Sequence, residues 1–345
     1  MNLRKKMVMV CLVLSLCLTA AANVFAVDNS KVPVESTYAT QFVDFDLNPN
    51  DDPIGKVVKY KKSSNVKLQI VKNAEKYKKT KKSLSDAESK TRTEEIDAFF
   101  AKIATLPDAE RYTPEFFSFL KEHDLVFYEL GKPENSAIGT MSTSVNDVSV
   151  NTPFGAYDSV NGWWEIWGGF NYTNDNGWWS ERPTCWYGCD PIGNIGGYDT
   201  LGINLSGGTA GAALKDFNMQ AIWHDAPSPY NSGKTGQFSY KVTNRVGTLD
   251  SSVGAMFLGQ DTISSFGLGT DGYQKFANNF GAGSVVLKYD SKFANANGLA
   301  RVYYRHTWNS TTIDSVTLNS DGTFSITIKN GENATPTIIG RDYSY

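Results

Sequence analysis

Trp163, Glu165 and Trp167 recur at every second position of the segment WWEIWGG, residues 163–169. Two-residue steps on a strand place same-face side chains about 7 Å apart, so two flat indoles would flank one carboxylate. Indole faces stack on the C–H surfaces of sugar rings, and a carboxylate accepts hydroxyl hydrogen bonds. The triplet therefore predicts a carbohydrate contact. Six of the chain's eight tryptophans lie between residues 163 and 189. Of these, Trp178, Trp179 and Trp186, with Tyr187, are expected to extend the platform from the following loop. The competing arrangement buries both faces of the strand, one in a β core and the other under the N-terminal part of the chain.

The same segment offers a hydrolytic chemistry. Glycoside cleavage needs two carboxyl groups about 5–9.5 Å apart, and Glu165 with Glu181 is the candidate pair, joined by Asp175 or Asp190. The Glu-x-Asp-x-x-Glu strand pattern of jelly-roll glucanases is absent, since Glu165-Ile166-Trp167 breaks it, and solvated loop carboxylates explain these residues as well. His224-Asp225 and His306 form a further candidate, as an acid/base or metal set. The chain has neither His-Glu-x-x-His nor Gly-x-Ser-x-Gly, and the neighbours Val302, Tyr304 and Trp308 read His306 as a core histidine. Residues 267–272 match Gly-x-Gly-x-x-Gly without the strand-to-helix context that a dinucleotide site requires, so they read as a loop.

Cysteine usage points to an oxidising compartment. Met1 to Ala26 has the form of an export signal, with Arg4, Lys5 and Lys6 before an apolar run and Val24-Phe25-Ala26 as the cleavage pattern. Cys11 and Cys17 would leave with it. Cys185 and Cys189 would remain and are expected to pair, fixing the turn around Trp186 and Tyr187. With three histidines in the whole chain, no metal site and no cofactor are expected. The net charge of -3 supplies no field that would draw nucleic acid. The partner expected instead is a polysaccharide or cell-wall polymer, met by an exported protein with no transmembrane segment in its mature form.

These residues need elements to position them. Lysine and glutamate dominate before about Pro133, and glycine, asparagine, serine, threonine and tryptophan after it. The organisation read from this shift is an export signal over 1–26, a Lys/Glu-rich region over 27–133 that is a candidate pro-region, and a Trp/Gly/Asn-rich β domain over 139–345. In the first region, Val66, Leu68 and Ile70 alternate as in a strand. Ser85-Asp86-Ala87-Glu88 and Thr91-Arg92-Thr93-Glu94 both fit a capping box, and the helix that follows has Ile96, Phe99, Phe100 and Ile103 as its apolar side and ends near Leu106-Pro107. Thr113 caps a second helix with Pro114 at its first position. In the last region, short alternating segments are separated by Gly, Asn, Asp and Ser clusters. The fold class read from this is mostly β: an antiparallel β-sandwich of jelly-roll type, preceded by a small α or α+β region.

A third function class, a membrane-acting toxin, draws on the same alternating strands. It requires a long Ser/Thr-rich amphipathic hairpin, and Met141 to Val150, which is Ser/Thr-rich, is too short to provide one.

Overall fold

The computed structural model describes residues 42–43, 48 and 50–345, apart from 63–64, 81–82, 133–143, 146–147, 173–191, 226–238, 242–244, 252, 269–273, 306–311, 319–323 and 330–337. Residues 41–345 form one compact unit. The fold is mostly strands in antiparallel and mixed sheets, with few helices.

The helices follow two short strands in the chain. Val66–Tyr77 is a helix, α1, where alternation predicts a strand. Val66, Ile70 and Ala74 are its fully covered apolar residues, and their i, i+4, i+8 spacing is the helical period. The alternation of Val66, Leu68 and Ile70 fits both periods over so short a run, and the four-residue continuation to Ala74 decides it. Asp86–Thr105 is α2, opened by the capping box: the Ser85 hydroxyl accepts from the Glu88 amide, and the Glu88 carboxylate accepts from the Ser85 amide. Leu106 ends it in extended conformation before Pro107. A single turn, α3 (Asp108–Arg111), leads to α4 (Pro114–Glu122), capped by the Thr113 hydroxyl with Pro114 in its first turn.

Strands then build the body. After β1 (Phe42–Val43) and β2 (Val57–Lys59) come β3 (Leu125–Glu129), β4 (Ser144–Val145), β5 (Val148–Val150), β6 (Phe154–Asp158), β7 (Trp163–Tyr172), β8 (Ile192–Ser206), β9 (Leu214–Asp225), β10 (Ser239–Lys241), β11 (Arg245–Ser251), β12 (Gly254–Leu268), β13 (Gln274–Asp290), β14 (Leu299–Arg305), β15 (Thr312–Leu318), β16 (Phe324–Lys329) and β17 (Ile338–Ser344). The main sheet runs β3-β6-β7-β13-β12-β8-β14-β17, with β9 on the other side of β13. Two short strands from the lysine-rich part, β1 (Phe42–Val43) and β2 (Val57–Lys59), join the β3 edge in parallel. Near the C-terminus, β15 (Thr312–Leu318) and β16 (Phe324–Lys329) pair as a separate two-stranded sheet, as the intervening Asn-Ser-Asp-Gly run predicts.

β7 lies at the centre, and its two faces have different neighbours. Trp164, Ile166, Gly168, Phe170 and Tyr172 point into the main core with Leu201, Ile203 and Leu205 of β8 and Val302 and Tyr304 of β14. Phe170 stacks on Tyr304 with ring centroids 3.7 Å apart. A Cβ added at Gly168 would stand 2.3 Å from a methyl of Val302, and one at Gly169 would stand 2.6 Å from the Ala104 carbonyl oxygen of α2. The adjacent glycines let β14 approach from one side and α2 from the other. Helix, central strand and second β layer are thus packed in that order.

β12 and β13 exceed ordinary strand length, at 15 and 17 residues. At the base they separate: Gly254–Leu258 of β12 pairs with β8, while Ala282–Asp290 of β13 pairs with β7. Farther along they come together, with Ile263 opposite Asn278 and Leu268 opposite Gln274. At a rise of roughly 3.3 Å per residue, each strand is about 50 Å long.

Candidate functional site

The second face of β7 carries the residues in which sequence spacing suggests a binding platform. Antiparallel register sets them beside charged partners: Ala156 of β6, Glu165 of β7, Lys288 of β13 and Asp216 of β9 lie in one cross-strand row. Trp167 stands in the next row with Phe154 and Val286. Directly opposite residues share a face of the sheet, so the carboxylate and the ammonium are brought together by backbone pairing alone.

α2 lies over this face. Phe100 places its ring 5.9 Å from that of Trp167, and Phe154 lies parallel to the same indole at 6.4 Å. Asp97, one position from the buried Ile96, points down to the sheet and meets the Lys288 ammonium at 2.5 Å. Lys288 is also 3.7 Å from Glu165. The Trp167 indole N–H donates to Glu165 Oε2 at 2.9 Å, and the Trp163 ring lies 5.9 Å from Lys288 Nζ. A second ion pair holds the start of the helix: Arg92 donates to both oxygens of Asp158, at 2.6 and 2.9 Å, and also to the His123 carbonyl.

The face expected to meet a sugar is therefore closed. Glu165 and Trp167 are each 1 % exposed, and Trp163 is half-buried at the strand end. The physical reason is the apolar stripe of α2, which covers the indole, together with Gly169, which admits the helix backbone. Glu165 touches Trp167 and Lys288 with no open space for a glycosidic oxygen. Trp178, Trp179, Glu181, Cys185, Trp186, Tyr187 and Cys189 lie outside the described residues, as do Asp175, Asp190 and His306. His224 and Asp225 stand on β9 opposite Asn278 and Ala277 of β13.

Electrostatics follow from the burial. Loss of solvent pushes the Glu165 carboxyl up to about 7, against the pull of Lys288 and the Trp167 N–H; the Asp97 and Asp158 carboxylates push it the same way as burial. Burial likewise raises Asp97, with Lys288 opposing. Burial alone would lower Lys288, but Glu165 and Asp97 outweigh it and hold the ammonium above its ordinary range. Sequence spacing finds Glu165 and misses its partners. The available signals are an aspartate inside the apolar side of a helix and a lysine inside an alternating strand. Neither says which element the other will face.

A different lysine occupies a second buried position. Lys67 of α1 donates to the Ala296 carbonyl and sits 5.0 Å from the ring centroids of both Phe293 and Tyr345. Burial lowers its pKa to about 7.

No protein-family model matches the chain, and neither does any curated protein sequence. Among solved structures, the Clostridium perfringens NetB toxin in the membrane inserted form aligns with 64% of this chain and 95% of that chain, at 8% identity and a TM-score of 0.22. That likeness is too slight to carry fold or function, so both rest on the residues themselves. No helix among the described residues is long and apolar enough to cross a membrane, which says nothing of strands.

Proposed function

We propose that this is an exported β protein that acts on lipid bilayers through the β12–β13 hairpin. The observation that carries this reading is the length of that hairpin. Residues 259–268 give ten positions and residues 274–281 give eight before β13 reaches β7, against the about 9–11 of a membrane-crossing strand. Across residues 259–283 the only charges are Asp261, Asp271 and Lys275, and the segment is rich in Gly, Ser, Asn and Phe. This is the long, weakly charged hairpin that Met141 to Val150 is too short to supply. Backbone pairing supports the same use, because strands in a bilayer must satisfy every N–H and C=O against another strand. The two packed β layers at the base are proposed as a sandwich, and the bilayer as the partner.

The carbohydrate-binding reading retains Trp163 and the Trp178–Tyr187 segment. The glycosidase reading retains Glu165 only in a form without substrate access.

Insertion requires the hairpin to leave its neighbours, β8 beside β12 and β9 beside β13. Asn194 and Thr262 are register partners across the first boundary, so a double variant Asn194→Cys/Thr262→Cys ties the hairpin down when oxidised. The chain beginning at Val27 is expected to release dye from phosphatidylcholine/phosphatidylglycerol liposomes. The oxidised variant is expected to be silent until reductant is added, with wild-type protein plus reductant as the control for Cys185 and Cys189. Equal leakage from oxidised and reduced variant, or none from wild type at any protein-to-lipid ratio, would remove the reading.

A further inference from the structure

We infer that α2 is a pH-gated cover on the central sheet, docked more tightly in acid and loosened as the solution becomes neutral to alkaline. The device is the buried cluster at its underside. Asp97 descends from the helix to Lys288 on β13, and Lys288 is shared with Glu165 on β7. Undocking separates Asp97 from its cation and opens Glu165 and Trp167 to water. The inference concerns the seating of α2 and holds whether or not the hairpin enters membranes.

The charges around Glu165 come from four elements. β13 contributes Lys288, α2 contributes Asp97, β6 contributes Asp158, and β9 contributes Asp216 beside Lys288. Asp158 is neutralised by Arg92 of α2. With Glu165 protonated, the Asp97–Lys288 pair is balanced. With Glu165 ionised, the dry interface holds one excess negative charge, and that cost is relieved by letting the helix go.

The sign follows from where each proton is held. Docked, Glu165 keeps its proton up to about 7, against an ordinary value of 4.5. A carboxyl raised by docking contributes stability that is fully present below the ordinary value and lost as pH rises through the docked one. Asp97 is raised by burial and works in the same direction. Lys288 is raised as well, so its contribution is lost only above the ordinary lysine range. Lys67, lowered by burial, has the opposite sense, but it holds α1 against Phe293 and Tyr345 rather than α2. His123 at the end of α4, lowered by burial and by Arg92 of α2, and Lys102 on α2, lowered by burial, also have the opposite sense, so the difference between wild type and Glu165→Gln is what isolates the cover.

Hydrogen exchange of the 96–105 amides, corrected for the intrinsic rate, reads the opening of α2 against the 299–305 amides of β14. From pH 5.5 to 8.5 the opening constant of wild type is expected to rise by about tenfold or more. In Glu165→Gln, which fixes the protonated shape, the rise should fall to about twofold or less. In Asp97→Asn, the loss of a like charge should move the midpoint to lower pH. A flat wild-type profile, a wild-type slope retained in Glu165→Gln, or a midpoint unmoved in Asp97→Asn overturns the inference. The Asp97→Asn variant and the wild-type profile keep it open to refutation if Glu165→Gln does not fold.

Discussion

Lys288→Met should unfold at markedly lower urea than wild type, with a loss of about 3–5 kcal/mol at pH 7.5. The substitution keeps a long apolar stem in a fully buried position but removes the one cation between Asp97 and Glu165. Two carboxyl groups then share a dry interface, and at least one must take up a proton. A domain's whole stability is about 5–15 kcal/mol, so this single change consumes a large share of it. The control is the variant Asp97→Asn/Glu165→Gln/Lys288→Met, which removes all three charges together. It should recover most of the loss, because a buried ion cluster costs desolvation that a neutral cluster does not. If the triple variant is no more stable than Lys288→Met, lost packing of the lysine stem explains the effect and the charge account is wrong.

Trp167→Ala is expected to cost about 3–5 kcal/mol, the range for deleting a large aromatic from a core. The indole is sealed between Phe100 and Phe154, and its N–H serves a buried carboxylate. Truncation therefore leaves both a cavity and a Glu165 with one donor fewer. Trp163→Ala, at the half-buried strand end, should cost only about 1 kcal/mol, mostly its packing near Lys288. A binding platform would behave differently: both substitutions would weaken ligand binding and neither would cost much stability. Equal urea midpoints for the two variants would contradict the core assignment of Trp167.

The contrast between these tryptophans shows how far the sequence could be read. Alternation in WWEIWGGFNY gives the strand and sorts its faces correctly, because a period of two is a local property. It cannot tell what covers each face. Two aromatics flanking a carboxylate look like a platform until an aspartate from α2 and a lysine from β13 arrive, 68 and 123 residues away in the chain. The adjacent Gly168 and Gly169 carried the missing hint, since a strand that omits side chains on both faces has close neighbours on both.

Helix ends were legible for a similar reason. The Ser85/Glu88 box and the Thr113-Pro114 start are contained within four residues, and the structure uses both, while the Thr91–Glu94 box falls inside α2. α1 was not legible from its first five residues, where Val66, Leu68 and Ile70 satisfy either period. The long hairpin was hidden by its composition. Glycine and serine punctuate β12 and β13 as they would punctuate loops, and the 259–268 segment reads as broken strand until its partners at 274–278 and 192–194 are known.

Entry of the hairpin into a bilayer as strands can be followed residue by residue. Single cysteines from Thr262 to Leu268 and from Gln274 to Asn279, labelled without reductant by an environment-sensitive fluorophore, report whether each position meets lipid or water. On adding liposomes, blue shifts are expected at alternate positions along each strand, with the phase stepping once at the register shift between Ser265 and Gly267. Emission unchanged at every position, or shifted equally at neighbouring ones, would contradict insertion as a β-hairpin.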